Sequence, residues 1–467
     1  MKERTVIAAN RFGLGARPGD LKIVDRNPQS WLLEQLQGPS RTPRDIRKLP
    51  HSSTVLVAVQ ALRRDERQQK KSAANGEPQM DQVQKYGRVA RGHFMDQVSA
   101  RYRAAAGSDY PFYERLVHFW SNHFAISIDK QPLPTITGLF ENEAIRPNVA
   151  GKFADMLLAV EKHPAMIFYL DNQRSIGPNS QLAKRANRRN GQRDVGINEN
   201  LAREILELHT LGVNGGYTQK DVTTFAKVIT GWSIGGSSEN GRFAEGEPGK
   251  FEFRDAIHEP GKKTILGKQY KQSGVSQGEA VLRDFAAHPS TAKFLATKLA
   301  RHFVADEPPA RLVEELASAY LESGGDLSAV YETLIQADDP WQKVHTKFKT
   351  PHEFVISTFR AFDHVPRDAR FVVQALDMMG QSIFKPGSPE GWPDTAEQWG
   401  GADGLYKRIE WCNTVARVVG SKVSPANLGD AILGPSLKSD TRKSIARAES
   451  GVQGLTLLLA SPEFQRR

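Results

Sequence analysis

The sequence contains a single cysteine, Cys412, among its 467 residues. One cysteine cannot form an internal disulfide, and it cannot supply the ligands of a Cys-ligated iron–sulfur cluster, a CxxC zinc site or a c-type haem attachment. Free cysteines are usually packed in the core, so we predict that Cys412, which follows Trp411, is a buried structural thiol. A chain of this length buries roughly three quarters of its unfolded surface, so packing alone can stabilise it.

Long apolar runs are also missing. No window approaches the roughly 18 consecutive apolar residues of a membrane-spanning helix. The first apolar run, residues 6–9, is shorter than the roughly 7–15 apolar residues of a secretory signal. We therefore expect no transmembrane segment and a cytoplasmic location.

The common catalytic motifs are absent. The sequence has no GxxxxGK[ST] phosphate loop, no GxSxG nucleophile turn and no HExxH zinc helix. These absences disfavour a P-loop nucleotide hydrolase, an α/β-hydrolase and a zinc protease of that type.

The net charge of +10 is concentrated in two segments. Residues 41–105 carry a net +8, and residues 174–193 hold six basic residues and no acid, so the rest of the chain is net negative. The first segment predicts two long polar helices joined by a linker at 73–78. A basic helical face can bind nucleic acid. Its interleaved acids and glutamines are more typical of a solvated surface, so nucleic-acid binding is the lesser alternative.

The second basic segment, 174–193, has no apolar face and repeats Asn, Gly and Ser. Such a segment is typical of a long loop. We predict that 174–193 is mobile, and the sequence leaves open whether it is a basic lid or a disordered segment.

Helix signals dominate the rest of the chain. Asn27-Pro28 is typical of a helix start, Thr218 with Asp221 resembles a capping box, and Gly212 is typical of a helix end. Two β-like runs, 250–255 and 263–270, predict a small hairpin near 250–270. No βαβ alternation is present.

The sequence therefore predicts a mainly α fold, a multi-helix single module with one small β-hairpin. We divide it into an N-terminal helical segment with long basic helices (1–110), a central motif-bearing region (111–270) and a C-terminal helical region (271–467). We expect these three regions to form one integrated domain.

The helix predicted over 199–211 carries the first candidate site. Glu204 and Glu207 lie one turn apart, with His209 on the other side of the apolar stripe. Two carboxylates and an imidazole can bind a divalent metal or divide into acid and base. In the alternative, Arg203 and Glu207 form an i,i+4 ion pair, Glu199 suits the helix N-terminus and His209 is a hydrogen-bonded histidine at the core edge.

The aromatic helix predicted from Pro111 carries the second candidate site. His118 and His123 are five residues apart, about 140° around a helix, so they cannot easily share one metal. His123 follows Trp120 by one turn and is the better candidate, with the Asn122 amide beside it. The alternative is a packed, hydrogen-bonded histidine.

Seven segments together resemble a known bacterial family, catalogued as "domain of unknown function 1800". These segments are AANRFGLGARPGD, HFWSNHFAIS, NENLAREILELHTLGVNGGYTQKDVTTFAKVITGW, HEPGKKTILGK, HPSTAKFLATKLARHFV, KTPHEFVISTFRA and MGQSIFKPGSPEGWP. The resemblance implies a helical single-module protein. Many relatives look exported, unlike our expectation for this chain, and their genes often neighbour one for a second uncharacterised family similar to sulfatases. The resemblance transfers no catalytic residue.

The leading hypothesis is an enzyme or a metal- or cofactor-binding protein with a Glu/His/Arg pocket for an anionic substrate. We expect the pocket between helices 112–124 and 199–211, with a hairpin covering it and a divalent metal as one candidate cofactor. The catalytic and metal-binding candidates are Glu204, Glu207, His209 and His123. The substrate-binding candidates are Arg203, Lys263, Asn198, Asn200, Trp120, Asn122 and His258.

The main alternative is a non-catalytic assembly protein that partners a sulfatase-like protein. In that case the polar residues form interlocking pairs that fix helix packing. Convergent polar groups around an open pocket favour the first hypothesis, and paired groups without a cavity favour the second.

Overall fold

The computed structural model describes residues 2–37, 42–72, 80–190, 196–236, 246–342 and 347–467. Within these ranges the chain is mainly α-helical, with two small antiparallel sheets of two strands each, which confirms the predicted fold class. None of the helices in the described ranges combines the length and the apolar character that crossing a bilayer requires.

The N-terminal region confirms the predicted long helices. Its helices are α1 (Glu3–Ile7), α2 (Asp20–Val24), α3 (Pro28–Glu34), α4 (Arg44–Arg47), α5 (Ser52–Ser72) and α6 (Met80–Gly107). The predicted start of α3 is also correct, because the Asn27 side chain accepts a hydrogen bond from the Ser30 amide at 3.1 Å. The predicted linker at 73–78 lies outside the described residues.

The central region follows its local helix signals. Its helices are α7 (Pro111–His123), α8 (Thr137–Phe140), α9 (Phe153–Glu161), α10 (Pro164–Tyr169), α11 (Gln181–Asn190), α12 (Asn200–Glu204) and α13 (Gln219–Val228). Thr218 and Asp221 form the predicted capping box of α13. Gly212, at φ +83°, donates its amide to Leu206 O at 3.1 Å and closes the preceding helix.

In the described part of the chain, three helices contain a π-helical turn, at Ala8–Phe12, Glu141–Ile145 and Ile205–His209. A π-turn holds one residue more than an α-helical turn, so it rotates the side chains that follow it. Shorter 3₁₀ turns occur at Leu133–Thr135, Arg146–Asn148, Asn172–Arg174, Asp255–Ile257, Asp339–Trp341, Gly420–Lys422 and Gly434–Ser436. The third π-turn follows α12 directly and therefore alters the face that the Glu/His helix presents.

The prediction of a mobile loop over 174–193 is wrong for its second half, where α11 is helical. The Ser180 hydroxyl accepts a hydrogen bond from the Ala183 amide, as an N-terminal cap does. Asn179 is bound through its amide and its side chain by the two oxygens of Glu259, both at 2.7 Å. Polar contacts thus order a segment that has no apolar stripe. Residues 191–193 lie outside the described residues.

The strands are β1 (Trp232–Ile234), β2 (Phe251–Phe253), β3 (Lys263–Ile265) and β4 (Lys268–Tyr270). β3 and β4 form a tight hairpin, which confirms a small hairpin within 250–270, although both of its strands come from the second predicted run. β2 pairs with β1, so the first predicted β-run belongs to a separate sheet.

The C-terminal region is helical, as predicted. Its helices are α14 (Val275–Ala286), α15 (Pro289–Phe303), α16 (Ala310–Glu322), α17 (Leu327–Gln336), α18 (Pro351–Ala361), α19 (Ala369–Met378), α20 (Ala396–Trp399), α21 (Ala402–Val419), α22 (Pro425–Leu433), α23 (Ser439–Ala446), α24 (Gly451–Ala460) and α25 (Pro462–Gln465). Cys412 is buried in α21, and burial raises the pKa of its thiol to about 12, as expected for a structural cysteine.

Two large hydrophobic clusters form the core. The first is built mainly from residues between 7 and 341, and the second from the N-terminal segment, α6 and residues 354–464. The N-terminal segment joins them, because Ile7 and Phe12 belong to the first cluster whereas Val6 and Leu14 belong to the second.

Among the residues that the structure describes, six arginine side chains are almost entirely buried near these clusters: Arg11, Arg115, Arg146, Arg360, Arg408 and Arg467. Arg115 Nε donates to Gly13 O at 2.7 Å, and Arg360 Nε donates to Gly15 O at 2.6 Å. Gly15 has φ +107°, and a Cβ there would lie 2.8 Å from Ser357 Cβ. Two buried guanidinium groups therefore hold the N-terminal segment where only glycine fits.

Glu114 provides a test of how much one buried arginine depends on its partner. Both of its carboxylate oxygens accept from Arg146, at 2.7 and 2.9 Å. We expect Glu114→Gln to lower the free energy of unfolding by about 3 kcal/mol, because it leaves a buried charge without its counterion. Chemical denaturation measures the loss.

A double variant, Glu114→Gln with Arg146→Met, is the matched control, because it removes both charges and should recover part of that loss. An unchanged denaturation midpoint in the single variant would contradict the prediction.

Candidate functional site

The predicted carboxylates lie on the outer side of the Glu/His helix. Arg203 Nη1 is 3.2 Å from Glu207 Oε1, and Arg203 Nη2 is 3.4 Å from Glu199 Oε2. Glu204 is half-buried, and burial raises the pKa of its carboxyl. Arg203 and Glu207 thus form the i,i+4 ion pair that the sequence offered as the alternative interpretation.

His209 points into the core instead of joining those carboxylates. It closes the π-turn Ile205–His209, and its Nδ1 lies 2.8 Å from Glu161 Oε1, with both side chains buried. The carbonyl oxygen of His209 accepts a hydrogen bond from His123 Nε2 at 3.1 Å. The structure therefore brings His123 and His209 together, and the carboxylate that contacts His209 is Glu161.

Two further predicted residues make packing contacts, and a third is exposed. Trp120 is buried and donates from Nε1 to the Tyr331 hydroxyl at 2.6 Å. Asn198 donates from Nδ2 to Leu170 O at 3.0 Å and accepts from the Asn200 amide through Oδ1. The side chain of Asn200 is exposed.

His258 and Lys263 are hydrogen-bonded to backbone carbonyls, just before β1 and just before β3 respectively. His258 Nδ1 donates to Thr230 O at 2.8 Å. Lys263 Nζ donates to three backbone carbonyls, those of residues 259, 260 and 261, at 3.2, 2.8 and 2.8 Å. The ammonium group of Lys263, which was expected to bind an anion, is thus hydrogen-bonded to three loop carbonyls.

A cavity of about 1020 Å³ lies beside α7, where segments of both hydrophobic clusters meet. Its walls come from α7, α15, the start of α18 and residues 376–408. Two of the predicted site residues, Asn122 and His123, line it. Neither His258 nor Lys263 does.

Asn122 fixes one wall of this cavity. Its Nδ2 donates to Trp392 O and its Oδ1 accepts from the Trp392 amide, both at 2.8 Å. Gly391, at φ +89°, lies against Asn122, and a Cβ there would come within 2.3 Å of Asn122 O. The loop that carries Trp392 is thereby attached to the helix that carries His118 and His123.

His118 ends a hydrogen-bonded relay of three side chains. The Tyr102 hydroxyl contacts His352 Nδ1, and His352 Nε2 lies 3.1 Å from His118 Nδ1. Arg101 Nη1, which can only donate, also lies 3.3 Å from both ring nitrogens of His352. In the tautomer in which the Tyr102 hydroxyl donates to His352 Nδ1, His352 Nε2 donates to His118 Nδ1 and the proton of His118 is on Nε2. His118 Nε2 is buried without a partner among the described residues, on a side chain that lines the cavity.

His123 presents the opposite chemistry. Because its Nε2 donates to the His209 carbonyl, the lone pair of the neutral ring is on Nδ1. That Nδ1 is buried without a partner within the described ranges, and the side chain lines the cavity. Burial and the charge of Lys298 hold the pKa of His123 well below its usual value, so the ring is neutral near pH 7.

An Asp–His pair occupies another part of the wall. His302 Nδ1 donates to Asp394 Oδ2 at 3.3 Å, and its Nε2 lies 3.5 Å from Arg115 Nη1. Burial and the charge of Arg467 lower the pKa of His302 to about 4. Burial alone would raise the pKa of Asp394, but the hydrogen bond from His302 and the charge of Lys347 lower it to about 2.

Glu353 is the carboxylate at the centre of the basic cluster behind this wall. Arg115 Nη1 contacts Glu353 Oε1, and Arg467 Nε lies 3.0 Å from the same oxygen. Burial alone would raise the pKa of Glu353, but the charges of Arg467 and Arg115 hold it well below its usual range. One carboxylate therefore faces two buried guanidinium groups.

Sequence reasoning missed most of these residues. It interpreted His118 as unable to share a metal with His123, and it did not select Lys298, His352 or Asp394. The available signal was the set of segments that carry the family resemblance, because five of them contribute cavity walls: AANRFGLGARPGD, HFWSNHFAIS, HPSTAKFLATKLARHFV, KTPHEFVISTFRA and MGQSIFKPGSPEGWP.

Within the described ranges, no three side chains of His, Cys, Asp or Glu converge in a geometry that could hold a metal ion. The proposed quartet of His123, Glu204, Glu207 and His209 is divided between the core and the helix surface. The metal therefore stays a prediction from sequence.

A family model described as a protein of unknown function, DUF1800, matches residues 7–466. Neither the comparison with curated proteins nor the comparison with solved structures found a match.

The neutral histidines around the cavity predict that the free energy of unfolding depends on pH. Burial lowers the pKa values of His118, His123, His302 and His352 below the value of about 6.5 expected in the unfolded chain. Below pH 6.5 the unfolded state therefore binds more protons than the folded state, and stability is lost as the pH falls. We expect each such histidine to lower the free energy of unfolding by about 1.4 kcal/mol per pH unit below 6.5.

Denaturant titrations between pH 7.5 and pH 5 measure this dependence. His118→Phe should reduce the proton uptake on unfolding by about one at pH 5. A free energy of unfolding that is independent of pH over this range would contradict the prediction.

Proposed function

The chain belongs to the DUF1800 family, and from that premise we propose that it is an enzyme that binds a small anionic substrate in the cavity beside α7 and acts on it by acid–base chemistry. The observation that carries the proposal is the pair of unpartnered nitrogens on two histidine side chains that line the cavity. His118 offers an N–H donor and His123 offers a lone pair.

Acid–base catalysis needs one group that gives a proton and another that accepts one, both within reach of the substrate. With Tyr102 donating to His352, the relay leaves the proton of His118 on Nε2, the nitrogen that has no partner in the described ranges. The His209 carbonyl fixes the lone pair of His123 on Nδ1. His118 and His123 lie on one helix, but their different partners, His352 and the His209 carbonyl, give them complementary roles as proton donor and proton acceptor.

The charge of the walls supports an anionic ligand. Six basic side chains line the cavity (Arg101, Arg115, Lys298, Arg301, Lys407 and Arg408) and four acidic ones (Glu353, Glu390, Asp394 and Asp403). A cavity with an excess of positive charge and low-dielectric walls attracts anions. Lys298 adds to this field, because its ammonium group makes no ion pair within the described ranges.

This proposal moves the acid–base pair away from the residues chosen from the sequence. Glu204, Glu207 and His209 remain predictions from the sequence, whereas His123 is kept as a candidate and gains a new partner, His118. The assembly alternative expected interlocking polar pairs without a cavity. Such pairs do surround Trp120 and Arg203, but the cavity of about 1020 Å³ favours ligand binding.

Anion binding is the first test. We expect inorganic phosphate or succinate to raise the unfolding temperature in a saturable way, because a ligand that binds only the folded state stabilises it. Sodium chloride at equal ionic strength is the reference. We expect Lys298→Met and His118→Phe each to lower the affinity for the more tightly bound of the two anions by about tenfold, equivalent to ~1.4 kcal/mol.

Lys293→Met is the matched control, because Lys293 is an exposed lysine on the same helix and does not line the cavity. It should leave the anion affinity unchanged. If neither anion stabilises the protein beyond sodium chloride, or if Lys293→Met and Lys298→Met behave alike, the proposal is wrong.

A further inference from the structure

Lys298 differs from the other lysines near the cavity. It lies in the last turns of α15, lines the cavity and is half-buried. Its Nζ lies 5.5 Å from the centroid of the Phe294 ring, and it forms no hydrogen bond or ion pair within the described ranges. The amine therefore packs over the Phe294 ring, and its nitrogen has no hydrogen-bond or ion-pair partner in the described ranges.

The neighbouring lysines are bound to partners. Lys407, which also lines the cavity, lies 2.6 Å from Asp403 Oδ2. Lys347 Nζ contacts Asp306 and donates to Asp394 O at 2.7 Å. Lys349 Nζ donates to Ser357 Oγ at 3.1 Å, on a side chain that is not part of the cavity wall.

Burial lowers the pKa of Lys298 to about 8, even though the charges of Asp394 and Glu390 act in the opposite direction. A lysine whose pKa approaches neutrality has a larger fraction of free amine, which is the nucleophilic form. His123 is close enough for the charge of Lys298 to lower its pKa, and its Nδ1 lone pair is free in the described ranges.

We propose that Lys298 is a covalent site that forms an imine with an aldehyde or ketone carrying an anionic group. This inference rests on the proposed function, because it uses the same cavity and names the substrate class. The positive walls bind the anionic group, and the uncommitted amine meets the carbonyl carbon.

The step balances without a further reactant. The neutral Nζ attacks the carbonyl carbon, and a C–N bond forms as the C=O π bond breaks. The nitrogen loses one proton to the His123 Nδ1 lone pair, and His123 passes it to the oxygen, which becomes the hydroxyl of a carbinolamine. The hydroxyl group then leaves as water with the second proton of the nitrogen, which leaves the C=N bond of the imine and returns His123 to its neutral form.

Reductive trapping tests the inference. The intact protein is treated at pH 7 with glyoxylate, the smallest anionic aldehyde, and cyanoborohydride, which reduces an imine to a stable amine. Peptide mass mapping then gives the rate of carboxymethyl addition at each lysine. We expect Lys298 to be modified at least about tenfold faster than the exposed Lys293 of the same helix. Acetaldehyde, which has no charge, should modify Lys298 more slowly than glyoxylate does.

Two separate readouts distinguish this inference from the proposed function: the unfolding temperature reports anion binding, and the modification rate of Lys298 in the same protein reports the imine. Lys298→Arg, which removes the amine, should lose the fast modification. Modification of Lys298 no faster than that of Lys293, with anion binding intact, overturns the imine and leaves the proposed function standing. If acetaldehyde and glyoxylate modify Lys298 at equal rates, the inference that the substrate carries an anionic group is wrong. If anion binding is also absent, both proposals fail.

Discussion

The cost of removing a guanidinium group from water governs much of this structure. Each of the six buried arginines brings up to five N–H donors into the interior, and a donor left without an acceptor is expensive. Helices cannot supply many acceptors, because their carbonyls are already bonded. Irregular segments supply them instead: Gly13 O serves Arg115, Gly15 O serves Arg360, and Lys349 O serves Arg408. The arginines thus determine the course of segments that have no regular secondary structure.

The same constraint helps to explain why a polar cavity persists between two hydrophobic clusters. Apolar side chains could repack and fill a gap of this kind. Arg115 and Glu353 cannot, because partners on several elements hold their side chains in place. The site therefore depends on charges that serve packing first. His118 and His123 then gain defined proton positions from neighbours far away in sequence, His352 and His209.

Local signals in the sequence predicted local structure well. The capping box at Thr218, the helix start at Asn27 and the β3–β4 hairpin all depend on residues a few positions apart. The candidate site was harder, because the π-turn Ile205–His209 inserts an extra residue and turns His209 towards Glu161, which a regular helical period does not anticipate. His118 and His352 are 234 positions apart, so no local pattern could pair them. α11 was missed because polar contacts to Glu259, not an apolar stripe, hold its start.

The attachment of Trp392 to Asn122 separates the shape of the cavity from its electrostatics. Both partners in this two-point contact are uncharged amides, so neither ionic strength nor proton concentration changes it directly. The ion pairs and histidines around it respond to both. Salt and acid should therefore change the affinity of the cavity for a ligand, while the shape of this side of the cavity stays constant. The protein can then vary how tightly it binds a ligand without changing which ligand shapes fit.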